Sequence, residues 1–232
     1  MDANDSPEWV RSNIGEKVYR TLRERFLSRE FKPGQRLHLP EMEKQMEISR
    51  TPLKDALNRL AAEGLIKIKP RSGTFVAPLD PVEIAESFEV RRALELCAVE
   101  LLIPLLPAPQ FRQIRDLMQQ MDAILESGED PENYRRYISL DREMHQLIVQ
   151  SAGNKRLAMA WDQVNVHVQM ARVNYEGALA EFQRSQREHH EIVQALEARD
   201  IDAARQALDK HIKLAKATLL DMIQKENVAV TL

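Results

Sequence analysis

The chain has 232 residues, 44% of them hydrophobic and 30% charged, enough for one large or two modest domains, each with its own core. No apolar run reaches membrane-spanning length and no basic-then-apolar signal pattern opens the sequence, so neither a membrane protein nor a secreted one is expected. Cys97 is the single cysteine, which leaves no internal disulfide and points to a reducing compartment, the cytoplasm. The net charge of −3 is unevenly spread: residues 11–78 carry fifteen Lys and Arg against eight Asp and Glu, net +7, whereas residues 81–232 sum to −6. A basic stretch of this kind is the electrostatic footprint of a nucleic-acid partner.

Residues 1–10 are polar and read as a tail, and residues 11–77 as one module. Val18, Leu22, Phe26 and Leu27 mark an amphipathic helix, Pro33-Gly34 a turn, and Leu39, Met42 and Met46 a second, short helix. After Ser49 and Arg50, Pro52 suits a first helical turn, where its missing N–H costs nothing. Leu53, Ala56, Leu57 and Leu60 then form an apolar face, which leaves Arg50, Thr51, Lys54, Asn58 and Arg59 off the core. Leu65 to Lys69 alternates, Pro70-Arg71-Ser72-Gly73 turns, and Thr74-Phe75-Val76 alternates again, a β-hairpin. Pro78 to Pro81 is a linker, and residues 82–232 are predicted helical, in segments near 82–103, 108–126, 131–151, 154–176, 178–198 and 200–225.

A short helix with basic and polar residues crowded at its N-terminus is suited to the major groove. Ser49, Arg50, Thr51, Lys54 and Asn58 are the candidate DNA contacts on this helix; Lys69, Arg71 and Gly73 are those of the hairpin wing. The order helix, helix, helix, wing resembles the GntR family of bacterial transcription regulators. The match runs through Pro33-Gly34, Ser49-Arg50-Thr51-Pro52, Ala56-Leu57, Leu60, Glu63-Gly64-Leu65 and Gly73-Thr74-Phe75-Val76. The chain departs from the family where Lys54-Asp55 stands in place of Arg-Glu, and Glu43 and Glu47 in place of small residues. Lys54 keeps the charge without arginine's fork. The expected fold is mainly α: an N-terminal winged helix-turn-helix with a small β-hairpin, then an all-helical bundle. The expected partners are double-stranded operator DNA and a second copy, because one short recognition helix makes few base contacts and a homodimer doubles them.

The helical half carries a second constellation. Asp141 and His145 lie four apart, on one face of a predicted helix; His189 lies on a later helix and His211 on the last. One carboxylate and three imidazoles could enclose a divalent ion if these helices share an interior. Spacing alone is weak support, since the chain has six histidines. The second half also resembles the FCD ligand-binding domain of the FadR subfamily, and its six-helix length looks more like the VanR branch. An Asp-x-x-x-His helix, a Glu-His-x-x-Ile helix and a final His-Ile helix occur here in order, with Glu89 to Glu95 matching the domain's first helix and Ala152-Gly153-Asn154 its turn. The resemblance implies one divalent transition metal held by Asp141, His145, His189 and His211, and a small carboxylate effector. The register favours His189 over His190. Nitrogen-rich ligation suits Zn, Ni, Mn or Fe(II), with Zn expected as isolated. Arg91 could pair with a carboxylate of the effector or form a surface salt bridge with Glu95. Asn154 could touch the effector or simply cap a helix. Repression is the commoner mode in such regulators. Two other functions fit parts of the pattern: a metal-dependent hydrolase, which lacks a convincing general base, and a regulator that senses the metal ion itself.

Overall fold

The computed structural model describes residues 8–28, 30–128, 130–174 and 179–230. Contacts divide the chain between Leu79 and Asp80 into two compact units. The first contains α1 (Glu8–Leu27), β1 (Arg36–Leu37), α2 (Leu39–Gln45), α3 (Arg50–Ala62), β2 (Ile66–Lys69) and β3 (Gly73–Val76). Helix α1 begins inside the stretch read as a tail; residues 1–7 lie outside the described residues. Val18, Leu22 and Phe26 of α1 meet Leu53, Ala56, Leu57 and Leu60 of α3 in a core where every one of these side chains is buried. Truncating one such leucine to alanine costs about 2–5 kcal/mol.

Helix α3 stops for a local reason. Gly64 adopts φ +76°, Leu65 N–H donates to Leu60 C=O (3.0 Å) and Gly64 N–H to Ala61 C=O (3.0 Å), the paired bonds that close a helix C-terminus around a left-handed glycine. The chain then enters the wing. The hairpin β2–β3 pairs Ile66 with Val76 and Lys69 with Gly73, as the alternation predicts. The sheet has a third strand that the sequence pattern missed: β1 pairs antiparallel with β3 through only two residues, too few to show a period.

The second unit contains α4 (Pro81–Leu102), α5 (Ala108–Glu126), α6 (Pro131–Ser151), α7 (Lys155–Asn174), α8 (Leu179–Glu197) and α9 (Ile201–Val230). These are the six segments read from the sequence, with α9 running to Val230; the Gly177 break lies outside the described residues. The starts of α4, α6 and α9 are fixed by aspartate caps. Asp80 accepts from Val82 N–H (2.8 Å), Asp130 from Glu132 N–H (2.9 Å) and Asp200 from Ala203 N–H (2.9 Å), each satisfying a helix-end donor. Arg199, at φ 55° in the α8–α9 turn, donates to the carbonyls of Ile103 and Leu106 (3.0 Å each) and so ties that turn to the α4–α5 loop. Helix α4 lies centrally, packed on α6, α7 and α9, while α8 packs on α5 and α9. That arrangement turns the inner faces of α4, α6, α8 and α9 toward one another.

Candidate metal centre and nucleic-acid interface

Those inner faces bring Asp141, His145, His189 and His211 together. One donor atom from each lies within 4.8 Å of every other, and all four side chains are buried. His189 Nε2 is 3.3 Å from His211 Nε2 and 3.3 Å from Asp141 Oδ1. Ligands bound at about 2.0–2.2 Å sit about 3 Å apart when adjacent around an ion.

The outer nitrogens explain why the inner ones converge. His145 Nδ1 meets Glu95 Oε2 at 2.7 Å, His211 Nδ1 meets Glu188 Oε2 at 3.0 Å, and His189 Nδ1 meets Gln186 Oε1 at 3.3 Å. Gln186 is oriented by its own NH2, which donates to Asp122 Oδ1 at 2.8 Å, and by Tyr137 O–H, which donates to its carbonyl at 3.1 Å. Each outer partner can accept, so the tautomer that satisfies all three contacts carries its proton on Nδ1 and turns the lone pair of Nε2 inward. His145 Nε2 is buried and has no hydrogen-bond partner. Three lone pairs and a carboxylate oxygen facing one another repel unless a cation lies between them, so the donor set fits a divalent transition ion. Acceptors behind metal-binding imidazoles fix their tautomer and direction in this way.

Asp141 has its own outer partner. Arg172 of α7 holds Asp141 Oδ2, with a second contact to Oδ1 at 3.1 Å. Burial alone would raise the Asp141 carboxyl, but the Arg172 charge and the neighbouring imidazoles hold it well below the ordinary range. Burial pushes His189 down and, reinforced by the neighbouring imidazoles, pushes His211 well down, which keeps these rings neutral and able to ligate. Glu95 is the hub: burial opposes its charge, yet Arg91 and His145 outweigh burial and bring it down to about 2. It accepts from Arg91 Nε at 2.5 Å and from the Trp161 indole N–H at 2.7 Å besides holding His145.

His190, four-tenths or more exposed, turns away to Asp122 at 3.0 Å and is outside the cluster. Arg91 does pair with Glu95, but not at the surface: its side chain is 2% exposed. Of the two alternatives for Arg91, the pairing with Glu95 is present, in the interior rather than at the surface, where α4 packs on α6, α7 and α9. Asn154 is exposed, and its side-chain oxygen accepts from Arg156 and Leu157 N–H at 3.1 Å each, which caps α7. Glu188, next to His189 in the sequence, is occupied in holding His211. Glu95, Gln186 and Arg172 were missed as supports. Glu95 was visible only as a neighbour of Arg91, and Arg172 carried no signal. Arg172 also lines an open pocket of about 70 Å³ with Tyr134, Phe182, Arg184 and Thr218.

The first unit presents the opposite kind of surface. Ser49, Arg50, Thr51, Lys54 and Asn58 are all exposed along one side of α3, and Ser49 makes no side-chain cap bond. Arg59 is not part of that face: it pairs with Glu16 at 2.7 Å and stacks on the Tyr19 ring at 3.8 Å, bracing α3 on α1. Lys69 and Arg71 are exposed on the wing, Lys69 over the Phe75 ring at 5.4 Å. Gly73 has a structural reason to be glycine. Its φ is +122°, and a Cβ there would meet the Arg36 guanidinium at 3.1 Å.

Family models match both units: "Bacterial regulatory proteins, gntR family" over residues 14–76 and "FCD domain" over residues 86–214. Among curated relatives, the HTH-type transcriptional repressor RspR of Escherichia coli strain K12 is 26% identical over 203 residues, covering 86% of each chain. The Nta operon transcriptional regulator of Aminobacter aminovorans is 31% identical over 146 residues, 63% of this chain and 67% of that one. The solved structure of McbR/YncC from E. coli aligns with TM-score 0.80 over 90% of this chain and 97% of that one, at 22% identity, a likeness of fold. No helix among the described residues is long and apolar enough to cross a membrane. A helix-turn-helix unit of one family followed by an FCD unit makes this chain a member of the GntR family of transcriptional regulators, a DNA-binding protein rather than an enzyme.

Proposed function

We propose that this regulator acts in the cytoplasm as a homodimer, reads a two-fold operator through α3 and the wing, and senses a small carboxylate at a metal centre in its helical domain. Asp141, His145, His189 and His211 would hold one divalent transition ion, zinc as isolated. The observation that carries the reading is the set of three buried imidazoles whose Nδ1 atoms are all spent on outer acceptors while their Nε2 atoms converge. The bound ion would supply positive charge and open coordination positions for a carboxylate. The chain's own residues do the rest: Glu95, Gln186 and Glu188 orient the rings, and Arg172 aims Asp141.

On the DNA side, Arg50, Thr51, Lys54 and Asn58 would reach base edges, Ser49 a phosphate, and Lys69 and Arg71 the phosphates or minor groove beside the wing. Gly73 would shape the wing turn. Repression, the activity named for some relatives, is the proposed mode.

The test is a calorimetric titration of chelator-stripped protein with zinc. One ion per chain should bind, and His211→Ala should lose that binding while its affinity for operator DNA stays within a few-fold. No zinc uptake by the wild type would remove the metal centre from the account and leave the DNA-binding assignment standing.

A further inference from the structure

The three-stranded sheet of the first unit has one face against the core and one face bare. Its order is β1-β3-β2, with Arg36 and Lys67 both paired to Phe75 and Lys69 paired to Gly73. Paired residues of an antiparallel sheet point to the same side, and successive residues alternate. Leu37, Thr74, Val76 and Ile66 make the inner face, and all four are buried. Arg36, Lys67 and Lys69 share the outer face with Gly73 and Phe75, and all three cations are exposed.

This outer face carries charge of one sign. Residues 34–38 and 64–78, which hold the three strands and the wing turn, contain no Asp or Glu. Among the described residues, the ion pairs of this unit join Glu16, Glu30 and Glu63 to Arg20, Arg59, Arg25 and Arg23, and none reaches the sheet. Cations gathered on one face repel one another, and a polyanion would relieve that repulsion.

Two of them are positioned without being neutralised. Lys69 Nζ lies over the Phe75 ring at 5.4 Å. The Arg36 guanidinium lies against Gly73, where a Cβ would meet its Nε at 3.1 Å and its Nη2 at 3.4 Å. Arg36 springs from the level of Phe75, so its side chain runs along β3 toward the wing turn. A side chain ordered in advance loses less freedom on binding.

The shape selects the part of a nucleic acid that fits. Arg36 and Lys67 stand two strand spacings apart, about 10 Å at their Cα atoms. A flat face of that width cannot enter a minor groove about 6 Å wide, as a single turn can. It can meet backbone phosphates, and arginine offers its planar fork to their oxygens.

We propose that Arg36, Lys67 and Lys69 form a phosphate-binding face on the outer side of the wing sheet, which docks the backbone of duplex DNA and has Arg36 as its fixed point. This goes beyond the contacts assigned above to the wing turn, and it rests on the reading in which α3 and the wing meet DNA.

The test is the salt dependence with which full-length protein binds a random-sequence duplex of about 30 base pairs, a probe of the sequence-independent electrostatic contribution. Arg36→Gln and Lys67→Gln should each reduce the slope of log affinity against log salt by about one unit, and the double variant by about two. Arg36→Lys keeps the charge and should stay within about half a unit of the wild type. Urea midpoints should match the wild type throughout, as for other exposed sites; if Arg36→Gln folds poorly, Lys67→Gln decides. The proposal is overturned if these variants leave the slope unchanged, whether or not affinity falls. A fall in affinity at constant slope for Arg36→Gln would make Arg36 a brace for Gly73 and nothing more. Binding of the wild type without salt dependence, or no binding, would instead overturn the wider reading of α3 and the wing.

Discussion

The exposed face of α3 proposed to read DNA and the inner face of the helical domain are both rich in polar side chains, and they treat them in opposite ways. Arg50 and Lys54 stand exposed and form no ion pair among the described residues. Asp141, His145, His189 and His211 are buried, and each is held from behind by a residue of another turn or another helix. A DNA contact can remain mobile until the phosphate or base supplies its partner. A metal ligand must be aimed beforehand, because an unpaired charge or imidazole inside a bundle is costly. Substitutions in the helical domain should therefore register in stability and metal content, and those on α3 and the wing in DNA affinity alone.

The largest effect is expected at Glu95. Glu95→Ala leaves the buried Arg91 guanidinium uncompensated and frees both His145 Nδ1 and the Trp161 indole. Breaking a buried pair in this way costs about 3–5 kcal/mol, which urea unfolding of the metal-free protein would read. A loss under about 1 kcal/mol would mean that these groups find other partners.

Acid comes next. In the folded, metal-free chain His189 and His211 are held below the ordinary imidazole value, chiefly by burial, so below about pH 6.5 the unfolded chain binds more protons than the folded one. The stabilisation these rings provide is complete above that value and is lost as pH falls, at up to about 1.4 kcal/mol per pH unit for each ring. Asp141, also held low, adds a loss of the same sign below about pH 4. Glu188, pushed up mainly by burial, works the other way. Unfolding of the helical domain at pH 5.5 should need less urea than at pH 7.5. Equal midpoints would contradict buried, neutral imidazoles.

On the DNA side, Arg50→Ala should weaken operator binding by about 1–3 kcal/mol at fixed salt and shift the unfolding free energy by no more than about 0.5 kcal/mol, as for other exposed sites. Operator affinity unchanged by this substitution would move recognition off α3. The smallest effect is expected at the wing. Arg71→Ala should reduce the slope of log affinity against log salt by about one unit, the signature of one lost phosphate contact. An unchanged slope would turn the hairpin away from DNA.

The same contrast governs how much could be read from the sequence. Helix α3, the candidate recognition helix, was legible because its apolar face, Leu53 to Leu60, and its basic residues are local and periodic. The six helices of the second half were legible through their proline, glycine and asparagine breaks. The candidate metal cluster was half legible: Asp141 and His145 share one helix face, but joining them to His189 and His211 needed the family resemblance. The supports were not legible. Glu95 reaches His145 across fifty positions and Gln186 reaches Asp122 across sixty-four, and such pairs exist only once the helices have packed. That Arg91 and Glu95 pair in the interior was hidden for the same reason, and β1 was too short to show a pattern.

The central claim is that the buried imidazoles are a metal centre in the His189 register. Elemental analysis of the purified wild type, His189→Ala and His190→Ala after incubation with zinc tests it most directly. The account predicts one ion per chain in the wild type and in His190→Ala, and none retained by His189→Ala. Full occupancy in His189→Ala, or loss only in His190→Ala, would contradict it.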